Sequence, residues 1–305
     1  MLSKDVIKCY IKAGRIASEV RDKVRPLVKE DVSLLEICSW VENKIKEKGG
    51  KLAFPCNICV NDVAAHYSPS INDETVVPWD AVVKIDLGVH VNGYIADTAT
   101  TVCLNHQYDG MVYAINEALK QAIKAVKPGV KNSQIGSIIQ KTIERYGFKP
   151  IWNLSGHQMT RYVLHTGKSI PNVSTLGLSK IREGEVFAIE PFLTLRSGVG
   201  EVTGLKRTDI YRFHKAHRNL NKDADKLQEL IKKRFNSLPF SKRWLNELDA
   251  HFAFPDERME KAFSEVLAKK SLTGYPVLAE ISGNIVAQAE HTVIVTKNGC
   301  LVTTL

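Results

Sequence analysis

Residues 81 to 103, Ala-Val-Val-Lys-Ile-Asp-Leu-Gly-Val-His-Val-Asn-Gly-Tyr-Ile-Ala-Asp-Thr-Ala-Thr-Thr-Val-Cys, hold the chemistry of this chain. Two β-branched runs flank Asn92-Gly93, and a two-residue turn with positive φ at both positions is what Asn-Gly supplies, so the stretch predicts a tight antiparallel hairpin. With Val91 facing Tyr94, Asp86 lies opposite Ala99 and Asp97 opposite Gly88. Both aspartates then share one face, roughly 5.5 to 8 Å apart at Cβ. Two carboxylates that close repel unless one is protonated or a cation lies between them, which predicts a metal. A bulge that turns one Asp to solvent is the plain alternative.

Further donors lie in the second half. They are His157 after Leu154-Ser-Gly, His165, Glu190 in Val186-Phe-Ala-Ile-Glu-Pro, and Glu290 in Ile285-Val-Ala-Gln-Ala-Glu-His-Thr-Val-Ile-Val. Glu190 and Glu290 each interrupt an apolar, strand-like run, where a carboxylate is costly to bury without a partner such as a cation. Gly156 lets a ligand approach His157 closely. Taken singly, each also reads as a strand-edge Glu facing water or a His bonded to a carbonyl.

The elements that must position these groups follow from periodicity. Residues 3–24 recur as an amphipathic helix closed by Arg25-Pro26. Ser33 with Glu36 forms a capping box for a second helix ending at Gly49-Gly50. Phe54-Pro55 and Cys56-x-x-Cys59 then lead into a loop-like stretch, 64–69, before the hairpin; the CxxC reads as two free thiols. Residues 109–126 and 133–146 read as two more helices, the second headed by Ser133 and stopped by Gly147. Val24-Arg-Pro-Leu-Val-Lys29 matches Val126-Lys-Pro-Gly-Val-Lys131 in the same place of the same order, which points to an internal duplication whose halves share one site. Between Glu190 and Glu290 lie 99 residues, more than two strands need, and residues 222–236 and 256–270 in that interval read as polar-faced helices. The stretch 207–276 is therefore expected to be a small helical insert. Its basic surface could touch RNA, although a solvated helix face explains it as well.

Composition sets the bounds. The chain has 305 residues, 44% hydrophobic and 25% charged, and these are globular proportions for one large domain with an insert. A net charge of +9 favours anionic surroundings such as RNA or the ribosome. Six cysteines, scattered without a disulfide framework, and the lack of a signal-like opening predict a reducing cytoplasm. No apolar run reaches the ~18 residues of a membrane helix.

The run Ala81-Val-Val-Lys-Ile-Asp86-x-Gly88-x-His90-Val-Asn92-Gly93-x-x-x-Asp97 resembles the signature of the type 2 methionine aminopeptidases, and the likeness spans nearly the whole chain. The order Asp86, Asp97, His157, Glu190, Glu290 is similar to that of the five metal ligands in this pita-bread metallopeptidase family. The helical insert resembles the feature that sets type 2 apart, and the plain opening helix looks like the archaeal form. The resemblance implies an α/β (α+β) pita-bread fold, with pseudo-twofold duplicated halves and a curved antiparallel sheet flanked by helices. The catalytic domain would comprise 1–206 and 277–305, and the insert 207–276. It implies two divalent ions per chain, Co2+, Mn2+, Fe2+ or Zn2+. Independently, four carboxylates carry about −4, which one divalent ion half neutralises and two neutralise fully; the oxygen-rich donors suit these metals.

The activity implied is removal of the initiator methionine from nascent polypeptides with a small second residue, by attack of a metal-bridging hydroxide. Asp97 and Glu290 would bridge the ions, Asp86 would hold one, and His157 with Glu190 the other. Glu190 would also act as general base and acid. His165 would hydrogen-bond the substrate amide or oxyanion, and His66 the scissile amide region. Phe54, Pro55, Leu164 and Tyr275 fall where the family lines its methionine pocket, with core packing as the other reading. Nascent N-termini are the expected partner, contact with the ribosome is admitted, and a monomer is expected. A prolidase or aminopeptidase P with the same ligands, acting on X-Pro peptides, is the alternative enzyme. A non-catalytic, nucleic-acid-binding relative is the alternative class.

Overall fold

The structure, a computed structural model, describes residues 2–247 and 257–305. The hairpin organises the first half. β3 (Val82–Val91) and β4 (Tyr94–Cys103) pair in the register Asp86↔Ala99, Gly88↔Asp97 and Val91↔Tyr94. Asn92 and Gly93 take φ of 53° and 88°, the left-handed values that a primed turn needs. β1 (Lys51–Val60) adds to β3, and the helices α1 (Lys4–Val24) and α2 (Leu34–Glu47) cover this three-stranded sheet. Val20, Ile37, Val41, Ile58, Ile85 and Leu87 meet in the core between the two layers. Ser33 caps α2 by accepting the Glu36 N–H.

The stretch read as leading into a loop is mostly strand. β1 runs through Phe54-Pro55 with register shifts on both sides of it, between Leu52 and Phe54 and between Phe54 and Asn57. Proline donates no ladder hydrogen bond, so the strand bulges there rather than ending. A short β2 (Val63–Ala65) follows. Cys56 and Cys59 are buried free thiols.

The second half repeats the plan. α3 (Asp109–Ala125) and α4 (Asn132–Arg145) pack on a sheet ordered β15-β14-β8-β6-β7: β6 (Ser155–Met159), β7 (Ser169–Pro171), β8 (Val186–Ile189), β14 (His291–Val295) and β15 (Cys300–Val302). The orders β1-β3-β4 and β6-β8-β14 correspond, each antiparallel under a helix hairpin. Ser133 does not cap α4; its hydroxyl donates to the Gly177 carbonyl, and the Gln134 side chain takes the Lys131 N–H instead. The halves meet where β4 passes β14: the Glu290 N–H donates to the Ala99 carbonyl at 3.2 Å and the Thr98 hydroxyl to the Glu290 carbonyl at 2.8 Å. A small sheet of β5 (Lys149–Pro150), β9 (Phe192–Thr194) and β13 (Val286–Gln288) lies alongside.

The insert region grows from a ladder. β10 (Val202–Phe213) pairs with β12 (Leu272–Glu280), flanked by β11 (Pro239–Ser241) and β2. Positions 207 and 276 cut this ladder at nearly one level, since Thr208 faces Pro276. Beyond it, α5 (Lys222–Phe235) and α6 (Glu257–Ala268) enclose a separate core of Leu227, Ile231, Phe240, Trp244, Met259 and Phe263. Residues 248–256, the middle of the expected insert including the first residue of its expected second helix, lie outside the described residues. A buried ion pair ties this second core to α2: the Arg243 guanidinium donates to both Glu42 oxygens, at 2.5 and 3.1 Å, and Trp244 Nε1–H to Glu42 at 2.8 Å.

Candidate metal centre

A cavity of about 380 Å³ opens where the two halves meet the β10–β12 ladder. Asp86, Asp97, His157, Glu190 and Glu290 all line it, and His66, His165, Phe54, Leu164 and Tyr275 line it with them. The donors come in matched places: Asp86 from β3 and Asp97 from β4 in the first half, Glu190 just after β8 and Glu290 just before β14 in the second. His157, in the middle of β6, completes the set. Gly156 beside it serves a different end from the one expected: a Cβ there would lie 2.4 Å from the Ala188 carbonyl oxygen. The missing side chain lets β6 close on β8, and so sets the depth of His157.

Ligand atoms of Asp97, His157 and Glu290 lie within 4.8 Å of one another. His157 Nε2 stands 3.3 Å from Glu190 Oε1 and 3.6 Å from Asp97 Oδ2. Among the described residues, Asp86 Oδ1, Asp97 Oδ1 and both Glu290 carboxylate oxygens are buried without a hydrogen-bond partner. Such orphans are rare in a folded core, because each costs the full desolvation of its group. Burial, and then repulsion from the neighbouring carboxylates, holds Asp97, Glu190 and Glu290 well above the usual carboxylate range. Burial pushes Asp86 up to about 7. Burial also holds His157 neutral, with its lone pair available. Acceptor oxygens with nothing to accept from, crowded around a neutral imidazole, fit divalent cations of the borderline class.

A chain of rings runs across the cavity. His157 and His165 have centroids 4.2 Å apart, His165 and Tyr275 6.2 Å, and Tyr275 meets His66 edge-on at 5.5 Å. Enclosure in the cavity, then the nearby His66 and Arg212, push the His165 imidazole down to about 4. His66 Nδ1 lies 3.1 Å from the Pro276 carbonyl oxygen. A carbonyl only accepts, so Nδ1 carries the proton and Nε2 keeps the lone pair.

The apolar wall is built by Phe54, Leu164 and Tyr275, with Ile210 and Pro239 from the insert region. Pro55 is not among its lining residues. It is buried in β1, where its carbonyl accepts from Asn57 Nδ2 at 2.8 Å. Sequence reasoning passed over Asn57, Ile210 and Pro239. An asparagine inside a strand-like apolar run is a readable signal, since strands disfavour it. Ile210 and Pro239 carry no such signal, because only the pairing of β10 with β11 and β12 brings them to the site.

The chain matches the model of metallopeptidase family M24 over residues 8–297. It is 45% identical over 294 residues to a methionine aminopeptidase of Methanocaldococcus jannaschii, covering 96% of this chain and 97% of that one. Among solved structures, a thermophilic Arx1 superimposes with a TM-score of 0.83 at 20% identity, over 99% of this chain and 91% of the other. The methionine aminopeptidase of Thermotoga maritima does so at 0.71 and 21%, over 99% and 98%.

Proposed function

The chain belongs to metallopeptidase family M24 and, within it, to the methionine aminopeptidases, and from that premise we propose how its own residues remove the first methionine of a polypeptide. Asp86, Asp97, His157, Glu190 and Glu290 would hold two divalent ions of the Co2+, Mn2+, Fe2+ or Zn2+ group. When bound, such ions make a nucleophile from water near neutral pH and polarise the scissile carbonyl. The observation that carries this reading is the set of unpartnered, buried carboxylate oxygens drawn from both halves of the fold.

The remaining chemistry rests on side chains. Glu190 takes a proton from the attacking water at its carboxylate and returns it to the leaving amine. His165, uncharged at neutral pH, donates a ring N–H to the developing oxyanion, where a fixed donor strengthens as charge builds. His66 Nε2 accepts from the substrate N–H. Phe54, Leu164, Tyr275, Ile210 and Pro239 enclose the methionine side chain, whose burial contributes about 1.5–3 kcal/mol. Confinement at the second residue limits cleavage to Met-Ala, Met-Gly, Met-Ser, Met-Thr and Met-Val starts.

We also propose that the insert faces the ribosome while nascent N-termini are processed. Residues 207–276 carry fifteen Lys and Arg against ten Asp and Glu, so they supply +5 of the chain's +9. A second groove, of about 620 Å³, lies between the insert and the first half, with Lys233 and Arg234 of the insert facing Lys51 of β1. Phosphate contacts of that kind predict binding that weakens steeply with salt. Among the described residues no helix is long and apolar enough to cross a membrane.

The test is an assay of the Mn2+-loaded protein on Met-Ala-Ser beside a Gly-Pro dipeptide. Release of methionine from the first, with the second left intact, is expected. Turnover of Gly-Pro alone would refute the assignment.

A further inference from the structure

Asn57 lines the cavity and has no part in the chemistry above. It stands on β1 opposite Asp86 in register and is 3% exposed. A buried amide is costly unless both its ends are satisfied. Here both are. Nδ2 donates to the Pro55 carbonyl at 2.8 Å, and Oδ1 accepts the backbone N–H of His66 at 2.7 Å.

The second bond is the informative one. His66 has φ of 67°, in the left-handed region that a residue with a β-carbon rarely adopts and that persists only where the surroundings impose it. Two grips impose it: the Asn57 amide oxygen on the main chain, and the Pro276 carbonyl on ring Nδ1 at 3.1 Å. Together they fix both the backbone and the tautomer of His66. The strand carrying Asn57 is itself anchored one residue earlier, where Glu42 accepts the Cys56 N–H at 3.2 Å. Glu42 is the carboxylate clamped by Arg243 and Trp244 of the insert. The insert thus braces β1 beside the residue that sets His66.

We propose that Asn57 is a positioning residue for the hydrolysis: by holding the His66 N–H it selects the left-handed backbone that presents the His66 imidazole to the substrate. This rests on the assignment of His66 to the substrate amide. An asparagine that merely completed the packing of β1 would affect stability, and any kinetic effect of its loss would not depend on whether His66 is present. A positioning asparagine acts only through His66.

The experiment is a double-mutant cycle on the Mn2+-loaded protein with Met-Ala-Ser, using Asn57→Ala, His66→Ala and the pair. Misplacing a substrate-contacting group by an ångström costs about 10- to 100-fold. Asn57→Ala is therefore expected to lower kcat by about that factor, with KM changed less than about threefold. The pair should be no slower than His66→Ala alone. If Asn57→Ala fails to fold, Asn57→Asp keeps the acceptor oxygen and removes the donor. It should leave the His66 ring signals in a histidine-labelled NMR spectrum of the metal-free protein where the parent has them. Factors that multiply in the pair, full activity of Asn57→Ala, or a displaced His66 ring in Asn57→Asp overturn the proposal while leaving His66 in its role. Full activity of His66→Ala overturns both.

Discussion

The Thr292 hydroxyl accepts the Asp97 N–H at 2.8 Å and donates to the Asp97 carbonyl at 2.9 Å, so one side chain of the second half holds both backbone polar groups of a donor residue in the first. Asp97 and Glu290 have no covalent neighbourhood in common; this clasp and the Thr98 hydroxyl on the Glu290 carbonyl fix their separation. Thr292→Val keeps the shape and strands the Asp97 N–H. The expected cost is about 1–3 kcal/mol of stability in urea unfolding. Calorimetry should show roughly 10- to 100-fold weaker Mn2+ binding, the usual penalty for losing support behind a ligand. Unchanged metal affinity would show that Asp97 does not need the clasp.

Glu190→Gln tests the proton-transfer role. A neutral amide cannot take a proton, so kcat on Met-Ala-Ser should fall by at least about 10²- to 10⁴-fold with an unchanged circular dichroism spectrum. An unaltered kcat would remove Glu190 from the mechanism.

His165→Ala separates transition-state from ground-state contact. A donor whose bond strengthens as charge develops shows its loss in kcat, by about 10²- to 10³-fold, with a smaller rise in KM. An effect confined to KM would place His165 in substrate binding only.

His90 gives a pH dependence distant from the catalytic chemistry. It is 6% exposed, and its Nδ1 accepts the Gly93 N–H at 3.1 Å inside the hairpin turn. Burial, and then the charge of Lys51, push its imidazole down to about 4. The unfolded chain, with an ordinary value near ~6.5, therefore binds the proton first as pH falls. The stability from the neutral ring is complete above ~6.5 and is lost as pH falls from there towards 4, amounting to at most about 3 kcal/mol. Urea unfolding at pH 7.5 and 4.5 should show a smaller acid loss in His90→Asn than in the parent; equal losses would contradict this.

Much of this arrangement is legible along the chain, and the reasons are local. The hairpin register follows from Asn92-Gly93 alone, because few other pairs accept two left-handed residues in a row. The four main helices show their apolar periodicity and stop near Gly or Pro signals. Less was visible where long-range contact overrides local preference. β1 passes through Pro55 as a bulge, and nothing nearby in sequence reveals that Asn57 will meet His66 nine residues on. β10 shows little apolar alternation, since most of its length is exposed or half-buried; only pairing with β12 makes it a strand. The Ser133 hydroxyl illustrates the limit of cap signals, for it finds the Gly177 carbonyl before the helix amides.

The central claim is that five residues from distant parts of the chain hold a pair of divalent cations on which activity depends. Its most direct test is metal analysis joined to Mn2+ calorimetry on chelated protein, with the Met-Ala-Ser assay run on the same samples. The expected result is two ions per chain, activity that disappears with chelation and returns with Mn2+ or Co2+, and loss of both binding and activity in Asp97→Asn. Full activity after exhaustive chelation, or ion binding untouched by Asp97→Asn, would contradict it.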